Sequence, residues 1–358
     1  MTYLSQAVLA FFCTALLIMM MRRPAERFGL VDHPGGRKRH AGVVPLTGGV
    51  AMVAGFMLAL AVSYGALGHF AALFAGFLLL ALVGLLDDLG EVTAGTKMLF
   101  QVVAAVLMTS WASVYLSNLG DLFGRGPLIT RDWAIPLTIF ATLAVINAVN
   151  MFDGLDGLAG SLALVTLGYF ALFANHVGDA NSLKLLLVLC GALVGFLVFN
   201  WPHPFRGRRR TFMGDAGSLV LGYAIAWFSV YLTQQAEFPT VPPVVMLWAV
   251  GVFLFDVFTV TIRRLVRRRS PMAPDRDHLH HMLLRRGFSG RATLLLIVTA
   301  QLVLAAIGTA LWRLEVPEYL VLLAYVTVGT VYFVAFFLPP RLLRRWRRMN
   351  GAATEREE

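Results

Sequence analysis

Long apolar runs dominate the chain, and short polar stretches punctuate them. Eleven runs are long enough to cross the bilayer core, about 30 Å of hydrocarbon spanned by roughly 20 helical residues. They centre near residues 12, 55, 78, 106, 141, 167, 191, 223, 251, 302 and 328. The pattern predicts an all-α polytopic membrane protein of about eleven transmembrane helices. Gly and Ala recur within several runs, where helices can approach closely. No internal repeat or low-complexity tract interrupts the order. Residues 1–340 read as one integral-membrane domain, and 341–358 as a basic-then-acidic tail.

Composition agrees with the pattern. The 358 residues are 58% hydrophobic and only 14% charged, against about 25% charged in an average soluble domain. The formal net charge is +10. Basic residues flank membrane helices on the cytoplasmic side, so this charge does not call for nucleic acid. Cys13 and Cys190 both lie within apolar runs and offer neither a disulfide framework nor metal spacing. The run from Tyr3 to Met21 lacks a basic leader and is followed by Arg22 and Arg23. It reads as a retained first helix rather than a signal peptide.

Charge also predicts an orientation. With the N-terminus outside and the helices alternating, the inner loops are roughly 22–45, 87–97, 151–158, 201–214, 263–291 and 340–358. They hold 26 of the 30 Lys and Arg. Only Arg125, Arg131, Lys184 and Arg313 fall outside. This asymmetry puts the C-terminus in the cytoplasm.

The polar clusters fall on the same inner face. Val31 to Gly49 forms the first loop. Gly84 to Glu91 carries Asp87 and Asp88 at the end of the third run, with Lys97 beginning the fourth. The stretch N-A-V-N-M-F-D-G-L-D-G-L-A-G, Asn147 to Gly160, joins the fifth and sixth. F-M-G-D-A-G-S, Phe212 to Ser218, opens the eighth. P-D-R-D-H-L-H-H, Pro274 to His281, lies in the long loop after the ninth. Asp121, Asp132, Asp179, Glu237, Glu315 and Glu318, on the outer side, show no such grouping.

Each cluster also has a plainer reading. Asp87 and Asp88 could be solvated acids at a helix end, and the Asn/Asp stretch a polar terminus with glycine breakers. Carboxylates at a membrane boundary are nevertheless costly unless paired, hydrated or metal-bound. Two successive D-G-L steps suggest backbone held close to a ligand. The histidines invite a zinc reading, but zinc wants a fourth ligand and tighter spacing. The arginine runs at 208–210 and 267–269 read as topology signals that attract anionic lipid, with no catalytic role. Asp87, Asp88, Asp153, Asp156 and Asp215 are hard oxygen ligands of the kind Mg²⁺ prefers. Lys97, Arg37, Lys38, Arg39, His40 and the histidine loop supply donors suited to phosphate. Gly214, Gly217 and Ser218 open a helix whose N-terminus suits an anion. A magnesium-bound diphosphate at the inner leaflet meets all these demands. No Walker A or dinucleotide fingerprint is present.

These motifs, in this order from about Asp32 to His281, resemble the polyprenyl-phosphate N-acetylhexosamine-1-phosphate transferases. The P-D-R-D-H-L-H-H stretch is similar to the branch that uses UDP-GlcNAc. The branch using UDP-MurNAc-pentapeptide has three adjacent histidines there, a run that Leu279 interrupts. Relatives that transfer 6-deoxy N-acetyl sugars stay open, and Glu91 stands where Asp is common. The resemblance implies attack by undecaprenyl phosphate on the β-phosphorus of a UDP-sugar, with release of UMP, at the cytoplasmic side of a bacterial inner membrane. Mg²⁺, with Mn²⁺ as a substitute, would neutralise the diphosphate. Asp215 is the first choice as metal ligand, and Asp87 and Asp88 as the catalytic pair. The substrate-binding set implied is Asp32, Lys97, Asn147, Asn150, Asp153, Gly154, Leu155, Asp156, His278, His280 and His281. The partners are the UDP-sugar, the lipid phosphate and the bilayer, and the apolar outer surface leaves room for a homodimer. Two rival readings remain, a transporter and a non-catalytic lipid scaffold. A transporter is disfavoured because its acids would sit near the midplane of repeated halves.

Overall fold

The computed structural model describes residues 2–33, 42–62, 68–90, 92–204, 209–235, 241–268 and 278–337. The first-loop cations Arg37 to His40, Glu91, the P-D-R-D segment and the 341–358 tail lie outside them. The described chain is mostly helical. The helices are α1 (Tyr3–Phe28), α2 (Gly48–Ala61), α3 (Ala71–Leu89), α4 (Ala94–Val106), α5 (Ala134–Phe152), α6 (Leu158–Val177) and α7 (Ala180–Asn200). They continue with α8 (Gly214–Gln234), α9 (Pro243–Ala249), α10 (Gly251–Val266), α11 (Leu279–Arg285), α12 (Gly290–Arg313) and α13 (Glu318–Phe337). One short antiparallel pair, β1 (Val31–Asp32) and β2 (Val44–Pro45), brackets the first loop.

Every predicted run coincides with a helix, but lengths vary. Among the described residues, eight helices are long and apolar enough to cross a membrane, and the bent pair α9–α10 makes a ninth candidate. Helix α2 has only 14 residues. Helix α4 has 13 and continues as a five-residue π-helical turn to Trp111. The fold is therefore an all-α polytopic membrane protein.

Helix α8 is the axis of the bundle. Seventeen of its residues are buried, from Gly214 to Thr233, and α2, α3, α5, α6 and α9 all pack on it. Small residues set the spacing. A Cβ on Gly84 would lie 2.3 Å from the Ala216 nitrogen, and one on Gly49 would lie 2.2 Å from the Gly217 nitrogen. The C-terminal end of α3 and the N-terminal end of α2 thus meet the start of α8 backbone to backbone. Gly55 against Thr14 and Gly191 against Ala7 do the same for α1.

The ninth predicted run is not a straight span. It bends by 80° between α9 and α10. A break inside lipid frees backbone groups that must find partners. Gln301 of α12 supplies them. Its Oε1 accepts from Val252 N at 3.0 Å and its Nε2 donates to the Ala249 carbonyl. The Thr166 hydroxyl donates to the same carbonyl at 2.9 Å.

Candidate active site

Three helix ends bring the acids together. Asp87 and Asp88 end α3, Lys97 lies in the first turn of α4, and Asp215 begins α8. The Lys97 ammonium sits between two carboxylates, 2.9 Å from Asp87 Oδ2 and 2.9 Å from Asp215 Oδ2. Asp87 Oδ1 also accepts from Val92 N at 2.7 Å. Neighbouring residues on a helix point in different directions, so Asp88 faces elsewhere. Its Oδ1 accepts from Asp215 N at 2.9 Å and its Oδ2 from Ala216 N at 3.3 Å. The N-terminus of α8, which the sequence marks as an anion site, therefore holds the protein's own carboxylate. Gly214 makes this approach possible. Its φ is +69°, and a Cβ there would lie 2.3 Å from Asp88 Oδ2.

The Asn/Asp stretch leads over this cluster. Asn150 Nδ2 donates to Asp215 Oδ1 at 3.0 Å and to Ser218 Oγ at 2.8 Å. Asn147, one turn earlier, donates to Gln101 Oε1 at 2.7 Å and to the Leu143 carbonyl. It joins α5 to α4 and bonds to none of the acids. Asp153 follows the last turn of α5. Burial, with the carboxylates of Asp215, Asp88 and Asp156 nearby, pushes its carboxyl well above the usual range. Asp156 Oδ1 accepts from Arg210 Nη2 at 2.6 Å. Gly157 has φ +76°, and its N–H donates to Asn200 Oδ1 at 2.7 Å. Leu155 packs against the core and reaches Gly290.

The histidine loop closes on this stretch from α11. A Cβ on Gly154 would lie 2.8 Å from His280 Nε2, so only glycine lets the ring stand there. His280 is 1% exposed, and neither ring nitrogen has a hydrogen-bond partner among the described residues. Burial, reinforced by His281 and His278, pushes it down to about 3. His280 is thus a neutral imidazole at physiological pH. His278 Nδ1 pairs with Asp256 Oδ2 at 2.8 Å. Asp256 Oδ1 accepts from Leu279 N at 2.9 Å and from the Tyr332 hydroxyl at 3.0 Å. Asp32 is held on the strand pair, opposite Val44. The strand pair is bound in turn to the approach to α8, where Phe212 N donates to the Pro45 carbonyl at 2.9 Å.

Among the described residues, no three Asp, Glu, His or Cys side chains stand in a metal-ligating group. The donor chemistry nonetheless fits a divalent cation. Asp87 and Asp215 share Lys97, and Asp88 reaches the start of α8 beside Asp215, so hard carboxylate oxygens from α3 and α8 converge here, the donor type that Mg²⁺ takes.

Comparison with known proteins agrees with the geometry. A profile of glycosyl transferase family 4 matches residues 70–233, which run from the start of α3 to the last turn of α8 and include both the acid cluster and the Asn/Asp stretch. The chain also aligns end to end with the undecaprenyl-phosphate alpha-N-acetylglucosaminyl 1-phosphate transferase of Yersinia pestis, at 33% identity over all of this chain and 99% of that protein. The protein of that name from Escherichia coli K12 is 32% identical over 99% of this chain and 98% of its own length. The one from Haemophilus influenzae is 33% identical over 96% of each chain.

The chain belongs to the polyprenyl-phosphate N-acetylhexosamine-1-phosphate transferases.

For this transferase, three further residues stand beside the motifs. Arg210, in a run read from the sequence as a topology signal only, reaches Asp156. Asn200 holds the turn at Gly157 and ties it to the Thr211 carbonyl at 2.8 Å. Asp256 anchors the histidine loop. Asp256 carried a usable signal, since it is a lone acid within an apolar run, and such residues mark function by default. Asn200 and Arg210 carried none, because their partners are distant in sequence.

Proposed function

We propose that this transferase moves N-acetylglucosamine-1-phosphate from UDP-GlcNAc to undecaprenyl phosphate and releases UMP. The observation that carries the donor and acceptor is the end-to-end match to relatives bearing that name. The geometry supports the reaction type. An oxygen of the lipid phosphate attacks the β-phosphorus, the bond from that phosphorus to the UMP oxygen breaks, and UMP leaves. Such transfers depend mostly on positioning and charge neutralisation.

The residues divide this work. Mg²⁺, or Mn²⁺, would be held by Asp215 and would neutralise the diphosphate oxygens and the leaving UMP. Lys97 adds a positive charge between Asp87 and Asp215. Asp87 or Asp88 would take the proton if the lipid phosphate arrives as a monoanion. Asp88, by holding the first N–H groups of α8, keeps Asp215 in place. Asn150, Asp153, Gly154, Leu155 and Asp156 form the nucleotide wall. His280, neutral and with both nitrogens unpartnered, offers hydrogen bonds to the diphosphate or the sugar.

Eleven spans, an outside N-terminus and a cytoplasmic-face site in the bacterial inner membrane belong to the same proposal. The concentration of 26 of the 30 Lys and Arg in the loops of one face supports them. The product would then be a lipid-linked diphosphate sugar that initiates a cell-envelope polysaccharide. The test is UMP release by purified protein with Mg²⁺ and undecaprenyl phosphate. UDP-GlcNAc, UDP-GalNAc and UDP-MurNAc-pentapeptide are supplied separately. Release from UDP-GlcNAc alone is expected. Release from another donor keeps the mechanism and overturns the sugar, and no release from folded protein with any donor overturns the catalytic reading.

A further inference from the structure

A second polar site shares Arg210 with the Asn/Asp stretch but contains none of Asp87, Asp88 and Asp215. A cavity of about 230 Å³ opens between the C-terminal part of α1, strand β2 and residues 209–211. Arg22, Arg209 and Arg210 line it, together with Ile18, Met19 and Phe199. Cations and apolar side chains thus share one small pocket.

Its walls are built rather than incidental. The hydroxyls of Thr47 and Thr211 meet at 3.0 Å. The Thr211 hydroxyl also donates to the Pro45 carbonyl at 2.9 Å. These bonds fix β2 against the arginine segment. The guanidinium of Arg210 spends Nη2 on Asp156 and lies 4.6 Å from the Phe212 ring centre, while its buried Nε has no partner among the described residues. Among the described residues Arg22 has one partner, Glu26, at 3.4 Å. Met19 is 50% exposed, so one apolar side of the pocket opens to the surroundings of α1.

Size and charge restrict the ligand. Pockets that enclose drug-sized molecules hold about 300–1,000 Å³, so this one takes a head group and leaves the rest of its ligand outside. Three arginines select an anion, and planar guanidinium donors match phosphate. Ile18, Met19 and Phe199 select a hydrocarbon chain beside it. We propose that this pocket binds the phosphate head of a lipid, with the chain lying along α1. Two lipids share that chemistry, the polyprenyl phosphate acceptor and an anionic phospholipid of the bilayer. Because Arg210 touches both this pocket and Asp156, a lipid phosphate seated here lies next to the nucleotide wall. The inference rests on the membrane reading of the fold and not on the identity of the sugar donor.

Native mass spectrometry of the full-length protein in detergent tests it, with undecaprenyl phosphate and phosphatidylglycerol offered separately and diacylglycerol as the uncharged control. The Arg22→Ala/Arg209→Ala double variant is expected to bind one or both phosphate lipids about tenfold less tightly, with diacylglycerol unchanged. Loss confined to undecaprenyl phosphate identifies the acceptor, and loss confined to phosphatidylglycerol identifies a bilayer lipid. Unchanged binding of both overturns the proposal. If the double variant does not fold, Arg209→Glu, at an exposed side chain, gives the same reading. UMP release by the unaltered protein is scored apart. Weakened lipid binding in the variant, with no UMP from the unaltered protein, keeps the pocket and removes the catalytic reading.

Discussion

The two ends of α8 use polarity in opposite ways. At its last turn, Gln234 bonds to backbone and to the hydroxyls of Ser117 and Thr233. Its Oε1 accepts from Ser117 N at 3.0 Å and Asn118 N at 3.1 Å, and its Nε2 donates to the Asn118 carbonyl at 2.9 Å. Nearby, Asp121 Oδ1 accepts from the backbone of Arg125 and Gly126, and Glu318 accepts from Asp121 N. These side chains serve the folding of the 112–133 connection. At its first turn, Asp88 still binds backbone, but charged side chains also meet one another. Lys97 meets Asp87 and Asp215, Asn150 meets Asp215, and Arg210 meets Asp156. There, His280 and the Nε of Arg210 stay buried without partners. One end spends its hydrogen bonds on the fold. The other keeps charge crowded and donors unspent, as a ligand requires.

Substitutions can break or sharpen that contrast. The largest effect is expected at the ligand end, from Asp156→Asn. It removes the charge that holds Arg210, and UMP release should fall by about a hundredfold or more, with membrane insertion intact. Full activity in that variant would remove the Asn/Asp stretch from the site. Gly154→Ala comes next. Its new Cβ displaces the His280 ring, and KM for the UDP-sugar should rise about tenfold while the thermal midpoint moves little. An unchanged KM would mean that His280 does not meet the substrate.

Gln234→Ala tests the opposite end. Three backbone groups lose their partner, which costs roughly 1–3 kcal/mol. The thermal midpoint should drop while kcat and KM per folded molecule hold. A loss of turnover without loss of stability would contradict the division between the ends. The smallest effect concerns pH. The folded His280 sits at about 3, below its ordinary 6.5, so the unfolded chain binds the extra proton between these values. Its contribution to stability is complete above about 6.5 and declines as pH falls through that window. The thermal midpoint should decline from pH 7 to pH 5, and His280→Gln should flatten that slope. An equal slope in both proteins would assign the pH dependence elsewhere.

Much of this was legible in the sequence, for physical reasons. Apolar runs reveal helices because lipid demands them, and each predicted centre falls on one. Asp87, Asp88, Asn150, Asp156 and Asp215 stood out because polarity at the end of an apolar run is costly. Pairings across distant segments were not legible. Nothing in Asp88 shows that it binds the start of α8, since the close approach is made by Gly84 and Gly214. The 80° bend after Ala249 was hidden because the side chain that satisfies it, Gln301, lies about fifty residues further on. Arg210 looked like any member of a basic run until its partner Asp156 was placed beside it.

The most direct measurement compares Asp215→Asn with the unaltered protein in a single preparation, reading UMP release from UDP-GlcNAc against Mg²⁺ concentration alongside the thermal midpoint. The carboxylate touches Lys97 and Asn150, so it could serve either folding or chemistry. Release reduced at least about a hundredfold, with the midpoint nearly unchanged, is the result expected if this end of α8 is kept for the diphosphate and its cation. Release that persists at a similar rate and Mg²⁺ dependence, or a midpoint that collapses with the activity, would contradict that claim and place Asp215 among the residues that only hold the fold.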